Sequence, residues 1–220
     1  MVKKLFEARE WYKSLKVDNT LKALEKNKFE AVYVPIKNEA VSKVLDIVSP
    51  DALVGLGGSV TLREIGLPEA LRERGNRLAD HWEARRQGAS AEETLKIRRL
   101  QLNSDVFITS SNAITETGKL INIDGGGQRV AAMIFGPKRV IVIVGVNKIV
   151  SDLDEGLERV KNIAAPMNAK RLNRNTPCAS TGVCNDCDSE ERICNITSII
   201  HRRPSNTKIT VILIGENLGY

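Results

Sequence analysis

A chain of 220 residues with 42% apolar and 27% charged residues has the balance of a soluble globule, which excludes a disordered chain and allows one α/β domain with small appendages. Its formal net charge of +6 points to an anionic partner. With only two Trp, three Tyr and four Phe, the chain lacks the aromatics that base-stacking binders use, so a small anionic metabolite is expected and nucleic acid is not.

No apolar run approaches the roughly 20 residues that cross a bilayer, and the lysines near the N-terminus have no apolar stretch behind them. No membrane span and a cytoplasmic location are therefore expected. Residues 2–27 read as two helical pieces, the second started by Asp18-Asn19-Thr20 and packed through Leu21, Leu24 and Phe29. Residues 31–36 predict a short strand, placed at an edge or a strand end by Pro35. Val41, Val44, Leu45 and Val48 make a helical stripe over 39–48, broken at Ser49-Pro50-Asp51. Residues 52–56 form the next strand, and Gly57-Gly58-Ser59 turns the chain into a helix holding Leu62 and Ile65. Pro68 opens another helix that Gly75-Asn76 ends, and residues 77–82 are a brief strand or loop.

Ser90 and Glu93 have capping-box spacing and should start a helix that runs to about Leu102. Three apolar runs, 106–109, 120–123 and 140–144, have strand length and composition. Residues 152–165 predict the last large helix, stopped by Pro166. Residues 167–193 are polar and aperiodic, 195–201 suggest a short helix, and 209–214 a final strand. Strands and helices alternate through most of this order, which predicts a mostly parallel sheet with helices on both faces.

Between the apolar runs lie short glycine-rich joints, the places where open sheets hold ligands. In Gly57-Gly58-Ser59-Val60-Thr61 a strand ends in glycines and opens a helix, exposing amides and the Ser59 and Thr61 hydroxyls to an anion. Asp124-Gly125-Gly126-Gly127-Gln128-Arg129 suits an anion pocket closed by a guanidinium, with a mobile hairpin tip as the bland alternative. Glu116, between two threonines and near Gly118, is the candidate catalytic carboxylate, a nucleophile or general base; a solvated turn glutamate is its alternative. His81 and His201 stand apart and read as structural.

All four cysteines, Cys178, Cys184, Cys187 and Cys194, lie within 17 residues in a C-x5-C-x2-C-x6-C pattern. Clustering of this kind implies a shared task. Four thiolates at uneven spacing suit a [4Fe–4S] cluster; zinc is the alternative, with disulfides disfavoured inside a cell.

Together these residues resemble the LUD-domain family, the lactate-utilisation proteins. The likeness rests on Gly-Gly-Ser-Val-Thr-Leu-Arg-Glu-Ile-Gly-Leu at 57–67, Asp-Val-Phe-Ile-Thr-Ser-Ser-Asn-Ala-Ile-Thr-Glu-Thr-Gly at 105–118, and the glycine turn at 124–129. It extends through 137–145, 147–150, 162–166 and the cysteine stretch 176–195, the last marking one subgroup. The resemblance implies a fold like ribose-5-phosphate isomerase and the CoA transferases, in which the two glycine loops meet over the sheet's carboxyl edge. Gly57, Gly58, Ser59, Thr61, Asn112, Asp124, Gly125, Gly126 and Arg129 would then bind an anionic ligand, and Glu116 would stand where CoA transferases keep a nucleophile.

The implied organisation is an N-terminal helical segment over 1–30, an α/β LUD core over 31–166, and a cysteine-rich segment over 167–220 that returns to the core with a strand. The implied function is an iron–sulfur component of lactate-like organic-acid utilisation, an oxidoreductase component working with iron–sulfur protein partners. Alternatives are a stand-alone CoA- or phosphosugar-type transferase or isomerase with structural zinc, and a non-catalytic metabolite or redox sensor. Self-association as a homo-oligomer stays open.

Overall fold

Val140, Val142 and Val144 face one side of their strand and Ile141 and Ile143 the other, and all five are fully buried. A strand buried on both faces needs a covering layer on each side, and the architecture follows from that demand. The computed structural model describes residues 2–220, with side chains from residue 7 onward; residue 1 lies outside the described part.

In chain order the first half holds helix α1 (Val2–Lys26), strand β1 (Glu30–Val34), α2 (Lys37–Ile47), β2 (Leu53–Leu56), α3 (Val60–Glu64) and α4 (Leu67–Glu73). Strand β3 (Arg77–Asp80), α5 (His81–Arg86), α6 (Ala91–Leu102) and β4 (Val106–Thr109) follow. Next come β5 (Ala113–Thr115), β6 (Leu120–Asp124), α7 (Gln128–Ile134), β7 (Arg139–Gly145) and β8 (Ile149–Val150). The chain closes with α8 (Leu153–Arg159), α9 (Ala165–Arg171), α10 (Pro177–Thr181), β9 (Ile196–Ile200) and β10 (Lys208–Ile214).

Six strands form one parallel sheet in the order β1-β10-β7-β4-β2-β3. One face packs on α2, α3 and α4 through Val44, Leu62, Leu67 and Leu71 against Val54, Ile108, Ile141 and Ile212. The opposite face meets Val17 and Leu24 of α1, Met133 of α7, and Ile114 and Leu120 of β5 and β6. Those last two belong to a second, mixed sheet in the order β8-β5-β6-β9. The fold is α/β with a mostly parallel sheet and helices on both faces, as the alternation of elements predicts; one face is shared with this second sheet.

Several local expectations are corrected. Residues 2–26 are one helix, because Thr20 donates its hydroxyl to Lys16 O at 2.7 Å inside the helix instead of capping a new one. Pro166 does not stop the helix after Asp152. A π turn at Val160–Ala164, with Ala165 N–H donating to Val160 O, absorbs an extra residue and leaves Pro166 in the first turn of α9, where its missing N–H is tolerated. The expected helix near residue 196 is strand β9, whose Ile-Thr-Ser-Ile-Ile is mostly β-branched and pairs antiparallel with β6. Strand β1 is an edge strand that ends at Val34, just before Pro35, and the Ser90–Glu93 capping box forms as expected.

The hairpin turn between β5 and β6 is held against α1. Asn27 Nδ2 donates to the carbonyls of Thr117 and Gly118, each at 2.9 Å. Gly118 has φ of 73°, and a Cβ there would stand 2.5 Å from the Ala23 carbonyl carbon. Gly118→Ala therefore combines a left-handed backbone with a clash against helix backbone. It should cost about 2–4 kcal/mol, read as a lower denaturation midpoint with unchanged slope.

Candidate functional site: a basic cavity at the carboxyl edge of the sheet

After β2 the chain moves outward to β3 and then returns to β4 on the other side of β2, so the loops leaving these strands diverge and leave a crevice at their carboxyl ends. A cavity of about 340 Å³ occupies this edge. Gly58, Ser59 and Thr61 line it after β2, His81 and Trp82 after β3, Ser110 to Asn112 after β4, and Lys148 after β7. From the second sheet, Asp124, Gly125, Gly126, Gln128 and Arg129 complete the wall. The two glycine loops thus meet at one cavity.

Each expected residue has a definite place. Ser59 caps α3, its Oγ accepting from Leu62 N at 3.4 Å. With five residues that helix has little dipole to offer an anion. Thr61 accepts from Lys148, and Asn112 Oδ1 accepts from Ile123 N at 3.0 Å and from Arg129 at 3.1 Å. Asp124 accepts from Val130 N and lies 3.6 Å from Arg129. Gly57 is behind the loop, against Thr109 and Phe107, and is not part of the lining.

Arg129 is a floor rather than a clasp. Its Nη atoms donate to Ser110 O, Asn122 Oδ1, Asn112 Oδ1 and Ile123 O at 2.7–3.2 Å, so the guanidinium spends its donors on the protein. Glu116 stands apart from the cavity. It occupies the β5–β6 turn, and its carboxylate lies 3.1 Å from Lys16 of α1, the geometry of a partly exposed turn glutamate.

The cations that face inward come from segments without a motif. Arg85 and Arg98 enter from α5 and α6, Arg171 and Arg174 from the end of α9 and beyond, and Arg192 from the cysteine segment. With Arg129 and Lys148 they set seven cationic side chains against three carboxylates, Asp124, Glu190 and Glu191. The Nε atoms of Arg98 and Arg174 are buried and have no hydrogen-bond partner. Burial and the like charges of Arg85 and Arg174 lower the pKa of Arg98. Arg171 stacks 4.4 Å from the Trp82 ring centre, with Arg63 at 5.3 Å. His81 is held by Gln101 Nε2 at 2.9 Å from its Nδ1, and burial pushes it down to about 4, so its ring stays neutral.

Lys148 is the residue with the least local signal. Its Nζ donates to Thr61 Oγ1 and Ser110 Oγ, both at 3.0 Å, and burial pushes its pKa down to about 7. A lysine just before the apolar pair Ile149-Val150 and shortly after a buried strand was the available clue.

The cysteine segment forms one wall. Arg192 donates to Cys187 O at 2.8 Å and to Cys194 O at 3.4 Å, while Asn195 bonds to Asp124 O and Gly125 O. A Cβ on Gly125 would sit 3.1 Å from Ile193 Cα, so the glycine turn and the cysteine segment touch backbone to backbone. All four cysteines are free and half-buried. Burial raises the Cys194 thiol, the neighbouring Arg192 guanidinium opposes that rise, and Cys184 and Cys187 add to it. The donor chemistry suits a thiolate-bound metal. Among the described residues, no three His, Cys, Asp or Glu side chains are gathered closely enough to hold one. Nor, among the described residues, is any helix long and apolar enough to cross a membrane.

Residues 17–214 match the family model described as the LUD domain. A solved structure of a DUF162 family protein from Deinococcus radiodurans shares the fold, with a TM-score of 0.53 and 14% identity over 92% of this chain and 98% of that one. No curated protein matches.

The buried Lys148 makes a pH prediction. Between pH about 7 and 10.5 the unfolded chain holds a proton that the folded one lacks, so its burial costs stability most below pH 7 and the cost fades as pH rises. Lys148→Met should gain on the natural protein most near pH 6 and least near pH 10, a difference on the order of 4 kcal/mol across the window in urea melts.

Proposed function

Because the chain belongs to the LUD-domain family, and so to the proteins related to lactate utilisation, we propose that it binds a small organic acid of the lactate type in the basic cavity and carries an iron–sulfur cluster on its cysteine segment. The observation that carries the first half is the charge of the cavity, in which Arg98 and Arg174 each keep a buried donor without an acceptor. An unsatisfied buried donor costs about 1–3 kcal/mol, and a carboxylate removes that cost by accepting from the guanidinium edge. The like-charge repulsion that lowers the Arg98 pKa is relieved by the same anion.

In this reading Cys178, Cys184, Cys187 and Cys194 would hold a [4Fe–4S] cluster. Four free thiols in an irregular segment support it, as does the influence of Cys184 and Cys187 on the Cys194 thiol. When bound, such a cluster supplies one-electron transfer, and iron–sulfur protein partners would receive or deliver the electron. The chain's own contribution is position: Arg192 ties the carbonyls of Cys187 and Cys194 to the cavity wall. Zinc on the same thiols would brace the segment without redox chemistry.

Thermal shift decides the ligand. Lactate or pyruvate at about 100 times its dissociation constant should stabilise the protein by about 2.7 kcal/mol. Arg98→Gln should remove about 1.5–3 kcal/mol of that binding. Stabilisation by phosphate or CoA alone would replace the organic-acid reading with the transferase one. For the metal, anaerobically purified protein should show a broad visible absorption band with iron and acid-labile sulfide, and Cys184→Ser with Cys187→Ser should abolish it. Stoichiometric zinc without the band would overturn the cluster.

A further inference from the structure

We propose that Lys148 is a nucleophilic amine that captures a 2-oxo acid in the cavity as a Schiff base. This rests on the organic-acid reading above and deepens it, naming the carbonyl form of the acid as the species held covalently.

The geometry at Nζ carries the inference. A neutral amine has two N–H bonds and one lone pair. Thr61 Oγ1 and Ser110 Oγ, each 3.0 Å away, accept both N–H bonds, which leaves the lone pair as the remaining tetrahedral position. Ser110 passes its own proton on to Ser111 O at 3.3 Å, so its oxygen meets the amine as an acceptor. An ammonium in the same place would carry a third N–H with no acceptor among the described residues.

The charges around it also favour the neutral form. Arg129 of α7 and Arg159 of α8 disfavour a proton on Lys148, and Glu64 of α3 favours one. Glu64 is engaged elsewhere, accepting from Gly219 N at 2.6 Å. No carboxylate forms an ion pair with Lys148 among the described residues. With a pKa pushed down to about 7, the amine is half unprotonated at neutral pH. At pH about 7 its free-amine fraction is on the order of a thousandfold above that of an ordinary lysine.

The surroundings suit the electrophile. Lys148 is 3% exposed yet lines the cavity, so solvent is scarce while the ligand has access. Gly219 lies over the amine; a Cβ there would stand 3.2 Å from Nζ and 2.6 Å from Thr61 Oγ1. In a 2-oxo acid the carbonyl carbon is bonded directly to the carboxylate. A guanidinium such as Arg98 that holds the carboxylate therefore also brings the carbonyl into the chamber that the amine lines.

The step balances without any oxidant. The lone pair of Nζ forms a bond to the carbonyl carbon, and the π pair of the C=O moves to oxygen. That oxygen takes a proton that nitrogen releases, with the Thr61 or Ser110 hydroxyl as relay. The resulting carbinolamine loses its hydroxyl together with the second nitrogen proton as one water, and the C=N bond forms.

The test uses the full chain with pyruvate as the 2-oxo acid probe and sodium cyanoborohydride at pH about 7, followed by digestion and mass spectrometry. The reduced adduct should appear on Lys148 before any other lysine, and lactate, which lacks a carbonyl, should give none. Lys148→Met, which removes the amine without adding a buried charge, should lose that adduct, with its melting curve as a check of folding. Thermal shift with pyruvate and lactate, without reductant, runs beside it. Stabilisation by pyruvate with no adduct, or with adducts spread over other lysines, overturns the role of Lys148 and leaves the organic-acid reading intact. No stabilisation by either acid and no adduct overturns both.

Discussion

One buried guanidinium holds the site together. Arg129 is largely buried, and its acceptors come from the loop after β4 and from β6, segments of two different sheets. Removing such a charge from water costs several kcal/mol, and only a nearly complete set of acceptors makes it tolerable. Arg159 repeats the device from the other side, donating to Asn112 O at 2.7 Å and to Asn147 O at 3.2 Å. The loop that carries Ser110 to Asn112 is therefore fixed by two arginines whose hydrogen bonds stay inside the protein. They contribute charge to the cavity but not contacts, and the donors left open there are those of Arg98 and Arg174.

This division separates the structural charge from the functional charge. Arg98 and Arg174 are half-buried beside each other and beside Arg85, an arrangement that the fold alone does not reward. Lys148 is buried without a carboxylate, which is also a cost. Such costs are concentrated at one sheet edge while the two faces of the sheet pack with branched aliphatic residues. Unfavourable charge gathered in one place, beside a cysteine segment that forms one wall, is a cost that the proposed organic acid would relieve.

Much of this was legible in the chain. Strands β4, β6 and β7 announced themselves by runs of branched residues, and the glycine loops after β2 and β6 marked two walls of the cavity. What was not legible depended on distance. Strand β5 has three residues and β8 two, too few for a pattern, and they exist because they pair with each other and, in β5, with β6. Pro166 reads as a stop by local rules, but a π turn upstream shifts it to where a proline is tolerated. Arg98 lies in a helix whose charges look like a solvated face, and only the tertiary fold shows that it turns inward. Glu116 is the converse case: a carboxylate beside threonines and a glycine has a reactive look, and the fold places it in a turn against Lys16 of α1, apart from the cavity lining.

The position of β10 has a consequence for how the molecule is made. Among the described residues strand β1 pairs only with β10, so Glu30 waits for Thr210, 180 residues later, before its strand is paired. The central sheet is therefore split while the chain is being synthesised, with β7 lacking its neighbour on that side. The segment with all four cysteines emerges from the ribosome before that gap closes. Its thiols meet solvent ahead of the strand that completes the sheet, and whatever they capture has its opportunity then.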